Sequence, residues 1–230
     1  MKLFCLPHLG GSASIYYQWK KYLNEKIEIV PIELAGRGER IKECFYEDFS
    51  TLISDVSEKI SIEENEKYAF FGHSMGALIA YELYYYMLHK DSTIPTHIFF
   101  SGRNTPEVKD EIFFGQMTDQ ELIDGLIQIG GIPPQLLNYP ELLNLSLAVI
   151  KADRKVMQTY EFKLHTNKLL CDITVMAGKD DLTLDYGKMD EWSLITKQKC
   201  NYSYYPGAHF YVEKNLADIC SLINNTLNIY

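Results

Sequence analysis

Phe70-Phe71-Gly72-His73-Ser74-Met75-Gly76-Ala77 decides how the rest of the chain is read. An apolar run of strand character, Tyr68 to Gly72, leads into it, and an apolar helical stretch, Met75 to Leu88, leads away. A serine held between a strand and a helix needs a sharp turn, and Gly72 and Gly76 remove the Cβ atoms that would collide there. Such a turn lifts the Ser74 hydroxyl above the strand ends and aims the first N–H groups of the helix at whatever it attacks. The bland alternative is a tight turn whose serine merely caps a helix. A strand before and a helix after favour the reactive serine.

Moving outward, the same order recurs. Short apolar runs lie at Lys2 to Pro7, Ile27 to Leu34, His97 to Ser101, Asp172 to Gly178 and Asn201 to Gly207. Most are nearly continuous in Val, Ile, Phe and Tyr, as strands covered on both faces are. Helical patterns follow at Ile15 to Leu23, Phe49 to Ile60, Met189 to Ile195 and Phe210 to Leu227. Strand-then-helix alternation predicts an α/β sandwich on a mostly parallel sheet, one domain over 1–230. Residues 106–169 break the rhythm with helical pieces separated by Gly130-Gly131-Ile132-Pro133-Pro134 and Asn138-Tyr139-Pro140. They read as an insertion packed as a lid over one end of the sheet, with ordinary crossover helices as the alternative.

A serine hydroxyl needs a base. His73 belongs to the turn itself, His89 and His165 sit in polar surroundings, His97 begins a strand, and His8 is a minor candidate in the loop after the first strand. His209 follows the last strand in Tyr205-Pro206-Gly207-Ala208-His209-Phe210. Loops after parallel strands emerge at one edge of a sheet, so His209 shares an edge with Ser74 and is the expected base. An orienting carboxylate is expected from Lys179-Asp180-Asp181, again after a strand, and periodicity does not separate the two aspartates. The order Ser, Asp, His is that of α/β-hydrolases. For an oxyanion, the N–H of Met75 is one donor by the geometry of the turn, and the loop Pro7-His8-Leu9-Gly10-Gly11-Ser12 should supply the other.

Composition narrows the rest. The chain has 230 residues, 47% hydrophobic and 23% charged, with 31 Asp+Glu against 22 Lys+Arg and a formal charge of -9. That sign argues against a nucleic-acid backbone as the main partner. No apolar run approaches the ~18 residues of a membrane span, and the opening MKLFCLPHLGG is too brief for a secretory leader. A cytoplasmic protein is expected. Cys5, Cys44, Cys171, Cys200 and Cys220 are scattered without a paired spacing, so neither a disulfide framework nor a metal site is expected.

Pro7-His8-Leu9-Gly10-Gly11-Ser12-Ala13-Ser14, Gly36-Arg37-Gly38-Glu39-Arg40, Gly72 to Ala77, Ser101-Gly102-Arg103 and Pro206 to Phe210 together resemble the type II thioesterases of nonribosomal peptide and polyketide synthesis. The resemblance covers nearly the whole chain in the family's motif order. It implies an α/β-hydrolase fold with a helical lid, and hydrolysis of acyl or aminoacyl thioesters on the phosphopantetheine arm of carrier proteins. It places the nucleophile on Ser74, the histidine on His209, the aspartate on Asp181 rather than Asp180, and the oxyanion donors on Leu9 and Met75. No cofactor of its own is implied, since the substrate carries the phosphopantetheine. Leu9, Ala35, Ala208 and Lys151 depart from the family pattern of Ala, Pro, Gly and Arg, and none removes a catalytic group.

The implied partners are acidic carrier domains, met by a monomer that is itself acidic. Docking then calls for a local basic cluster, with Arg37, Arg40, Lys42 and Arg103 as candidates. Leu122, Ile123, Leu126, Ile127, Ile129, Leu136 and Leu137 could line an acyl channel or form the core of the lid. A carboxylesterase or lipase acting on small oxygen esters is the alternative function, because it would use the same three side chains.

Overall fold

The computed structural model describes residues 1–90, 93–109 and 115–227. Six strands, β1 (Lys2–Leu6), β2 (Glu28–Pro31), β3 (Tyr68–His73), β4 (His97–Ser101), β5 (Asp172–Gly178) and β6 (Cys200–Tyr205), form one sheet in the order β2-β1-β3-β4-β5-β6. Every neighbouring pair is parallel. Side chains alternate between two apolar layers. Phe4, Leu6, Phe70, Ile98, Phe100, Ile173 and Val175 enter one, while Leu3, Cys5, Ala69, Phe71, Phe99 and Met176 enter the other. Because both faces are covered, the strands carry continuous rather than alternating apolar sequence.

The first layer is covered by α1 (Phe49–Lys59) and α2 (Met75–Leu88), the second by a 3-10 segment, Ala13–Lys21, and by α6 (Leu216–Thr226). Asp48 opens α1 with a capping box: its carboxylate accepts from the Thr51 N–H at 2.7 Å, and its own N–H donates back to Thr51 Oγ1 at 3.3 Å. α2 is apolar almost all round and is the most deeply buried helix, as a helix wedged between sheet and neighbours must be.

Residues 106–169 hold no strand among the described residues, although 110–114 lie outside them. They carry α3 (Asp119–Ile129), a 3-10 turn at Pro134–Asn138 and α4 (Pro140–Gln158). α3 starts on a Thr118–Glu121 capping box and stops at Gly130, whose φ of 86° few other residues tolerate.

Some expected elements differ in kind. Ile15 to Leu23 and Met189 to Ile195 fall on 3-10 segments, Ala13–Lys21 and Tyr186–Leu194, rather than α-helices. Apolar residues three apart, such as Tyr16 and Trp19, suit either helix. The terminal helix is broken into α5 (Tyr211–Lys214) and α6 at Asn215, whose Nδ2 donates to the carbonyls of Pro206 and Tyr211 at 2.9 and 2.8 Å. β2 ends at Pro31, which has no N–H to continue a ladder and is tolerated because β2 is an edge strand.

The register sets up the site. Leu6 lies opposite Gly72, His73 opposite Ser101, Ser101 opposite Met176, and Gly178 opposite Tyr205. The strands therefore end in line, and the loops after β1, β3, β5 and β6 meet along one edge. β1 has β2 on one side and β3 on the other, so the strand order reverses beside it. Such a reversal opens a crevice at the carboxyl ends.

Candidate active site

Ser74 joins β3 directly to α2. Its φ of 56° and ψ of -113° lie in a region that L-residues avoid, at a cost of order 1–3 kcal/mol. The surroundings enforce it. Ser74 N–H donates to the Ser101 carbonyl at 2.7 Å, and Ala77 N–H returns to the Ser74 carbonyl at 3.0 Å. A Cβ on Gly72 would lie 2.1 Å from the Gly76 carbonyl oxygen, and one on Gly76 would lie 2.2 Å from that of Leu6. The turn can therefore be this tight only with glycine at both positions.

The hydroxyl so raised meets His209. Ser74 Oγ is 2.9 Å from His209 Nε2, and His209 Nδ1 is 2.7 Å from Asp181 Oδ2. A carboxylate only accepts, so Nδ1 carries the proton and Nε2 is left to accept from the Ser74 hydroxyl. All three side chains are buried. Of the two aspartates, Asp181 turns inward and Asp180 is exposed. Burial works to raise the Asp181 pKa. The His209 imidazole and the Thr183 donors outweigh it and hold the carboxyl below the usual carboxylate range.

The loops that carry these groups are tied together. Lys179 N–H donates to the Tyr205 carbonyl at 2.8 Å and Asp180 N–H to that of Gly207 at 3.0 Å, which fixes the Asp181 loop against the His209 loop. Thr183 donates to Asp181 Oδ1 from its N–H at 3.0 Å and its hydroxyl at 2.7 Å. Tyr186 OH accepts from Asp181 N–H at 3.1 Å and donates to the Gly178 carbonyl. Thr183 and Tyr186 are absent from the sequence reading, although Asp181-Leu182-Thr183 has the form of an Asx turn, the one local signal available.

His73 stands behind His209, with ring centroids 5.1 Å apart. Its Nδ1 lies 2.9 Å from Ser101 Oγ, which is 2.6 Å from Tyr211 OH. Burial lowers the His73 pKa well below the ordinary value and that of His8 to about 4. His97, buried between β4 and β5, is lowered likewise to about 4. These imidazoles stay neutral when folded but take up protons near pH 6.5 when unfolded. Between about pH 6.5 and 4 the unfolded chain thus binds more protons, and stability should fall with pH across that window. Urea midpoints measured at intervals through it should show that slope, reduced in His97→Gln. A flat profile in the parent would contradict the burial of neutral imidazoles.

Leu9 and Met75 flank the serine, and among the described residues neither N–H is paired with an acceptor. His8, Leu9, Leu126, Ile129, His209 and Phe210 leave a cavity of ≈ 20 Å³ at Ser74, room for roughly one water centre. Leu126 and Ile129 bring α3 over the site, with Leu126, Leu122 and Ile123 all buried and Leu137 exposed. Beyond His8 and Phe210 lies a second cavity of ≈ 300 Å³.

The basic candidates do not form a surface cluster. Arg37 is 4% exposed and pairs with Asp153, and Arg103 is 2% exposed. Arg40 is committed to Glu43 and Asp55. Of the four, Lys42 alone is exposed among the described residues. A loop position after a strand does not tell whether a guanidinium faces water or a carboxylate distant in sequence.

A serine on a strand-to-helix turn, with a carboxylate and an imidazole following it in the chain and meeting it on an all-parallel sheet, is the arrangement of an α/β-hydrolase. The family model for the thioesterase domain matches residues 1–227. The chain is 31% identical to the gramicidin S biosynthesis protein GrsT of Aneurinibacillus migulanus over 232 residues, covering all of this chain and 90% of that one. ClbQ from the colibactin NRPS/PKS pathway superposes with a TM-score of 0.92 at 30% identity, over 99% of this chain and 96% of that chain. BorB, the type II thioesterase of the borrelidin cluster, gives 0.85 at 27% identity, over 98% and 92%. The chain belongs to the thioesterase family, among the type II thioesterases of NRPS and PKS pathways. No helix among the described residues is long and apolar enough to cross a membrane.

Proposed function

We propose that the protein hydrolyses acyl or aminoacyl thioesters carried on the phosphopantetheine arm of carrier domains, with Ser74 as nucleophile, His209 as base and acid, and Asp181 as orienting carboxylate. The observation that carries the reading is the unbroken relay from Ser74 Oγ through His209 to Asp181, at 2.9 and 2.7 Å. Ser74 attacks the thioester carbonyl while His209 Nε2 takes its proton, and Asp181 stabilises the imidazolium that forms. The Leu9 and Met75 N–H groups receive the oxyanion. Collapse expels a thiol, whose pKa of about 8.5 makes it a better leaving group than an alcohol or amine. Water then releases the acyl group from Ser74 with the same base.

The names of GrsT, ClbQ and BorB favour a thioester on an assembly line over a free oxygen ester. The tight space at Ser74, closed by Leu126, Ile129 and Phe210, favours short acyl groups over long ones. Docking would rest on shape and Lys42 more than on a basic patch, since Arg37, Arg40 and Arg103 are engaged or buried. The test compares kcat/KM for acetyl-carrier protein and for p-nitrophenyl acetate. The carrier thioester should be preferred by at least about 10-fold, the ratio that some 1.4 kcal/mol of extra transition-state binding gives. Preference for the free ester would assign a carboxylesterase instead.

A further inference from the structure

The loop that would supply the Leu9 donor is held from outside. His8 and Leu9 share a peptide whose carbonyl accepts from Gly11 N–H at 2.9 Å. A trans peptide is planar, so its N–H points opposite to its C=O, and fixing the His8 carbonyl fixes the direction of the Leu9 N–H. The next peptide is gripped at both ends. His8 Nδ1 donates to the Leu9 carbonyl at 2.9 Å, and Gly10 N–H donates to Asp153 Oδ2 at 2.8 Å.

Asp153 lies in α4, 143 residues along the chain from Gly10. Its carboxylate is gripped by Arg37, Nη1 to Oδ2 at 2.7 Å and Nη2 to Oδ1 at 2.5 Å, with both side chains at most 4% exposed. Arg37 Nη1 also donates to the Gly11 carbonyl at 3.1 Å. One turn before Asp153, Ile150 packs so closely that a Cβ on Gly10 would lie 2.5 Å from its Cγ1, and Gly10 has a φ of 75°. Two buried charges thus converge on two backbone groups of the loop after β1, the Gly10 N–H and the Gly11 carbonyl. Buried ion pairs add little to stability compared with apolar packing, so their placement here calls for another role.

We propose that Arg37 and Asp153 are positioning residues for the oxyanion hole. Through them α4, a helix of the inserted segment, sets the Leu9 N–H, and the hole is complete only while α4 is docked. The inference rests on the reading of Leu9 as an oxyanion donor. It adds that the donor's aim depends on a helix that touches no reacting atom.

The test is the double variant Arg37→Met/Asp153→Leu, which removes both buried charges and so leaves neither unpaired. We expect it to fold, with kcat for p-nitrophenyl acetate reduced about 100-fold, the scale of losing one oxyanion donor, and KM within about twofold. Inhibition by a methyl trifluoromethyl ketone, whose hemiketal oxyanion occupies the same hole, should weaken by a similar factor. Asp153→Asn keeps an oxygen for Gly10 N–H but turns an NH₂ toward Arg37 Nη2, so it should give a smaller loss of about 10-fold, with kcat and ketone affinity again falling together. It also keeps the test decisive if the double variant does not fold. A drop in kcat without an equal loss of ketone affinity, a change confined to KM, or wild-type kcat in a folded variant would each overturn the clamp. Parent enzyme that cleaves p-nitrophenyl acetate but spares acyl-carrier thioesters would contradict the substrate reading alone.

Discussion

Asp181→Asn should lower kcat for thioester hydrolysis by about 10⁴-fold, while Asp180→Asn should stay within about twofold of the parent. The asymmetry follows from Thr183. Its N–H and hydroxyl both donate to Oδ1 of residue 181, so an amide there keeps its oxygen on Thr183 and turns its NH₂ toward His209. A donor facing Nδ1 forces the imidazole proton onto Nε2, the nitrogen that must accept from Ser74. The structure would be nearly unchanged and the tautomer wrong. Asp180 contributes a backbone N–H to Gly207, which its substitution leaves in place, and its side chain faces solvent. Single-turnover rates of the two variants decide the matter. Equal losses would remove Asp181 from its role.

Gly76→Ala should lower the melting temperature by roughly 10 °C or more, from a loss of about 4 kcal/mol. The new methyl would meet the Leu6 carbonyl oxygen at 2.2 Å, its carbon at 2.7 Å and the Pro7 oxygen at 2.8 Å. All three are backbone atoms at the end of β1, which is paired on both sides in the sheet interior. No rotamer relieves such a contact, and α2 would have to lift away from the sheet. Gly125→Ala is the control. It lies inside α3 with nothing within 4 Å of the added carbon, and should stabilise by about 0.5–1 kcal/mol. Thermal unfolding of both variants followed by circular dichroism checks the contrast, and a mild effect at Gly76 would contradict the close approach of α2 to β1.

Much of this was legible in the chain because local rules and the global fold agree. β4 and β5 have the bounds read from His97 to Ser101 and Asp172 to Gly178, since a polar residue or a glycine marks each end of a mostly apolar run. That Ser74 and His209 meet was legible from the positions of their turns: each sits on a turn that glycines mark, and a parallel sheet sends both turns to one edge. Asp181 needed the family resemblance, because adjacent aspartates differ only in which way the loop faces. The basic residues were not legible. Arg37 reads as a surface cation, and only the packing of α4 on the first loop reveals Asp153, 116 residues away, as its partner. The 3-10 segments were missed because a spacing of three is common to both helix types.

The central claim is that Ser74 is a nucleophile activated by His209. Its most direct test is intact-mass analysis after treatment with a fluorophosphonate. One phosphonyl adduct is expected, mapped to Ser74, absent in Ser74→Ala and formed at least about 100-fold more slowly in His209→Ala, the scale of a lost general base. Labelling that persists in a folded Ser74→Ala variant, or that is indifferent to His209, would contradict it.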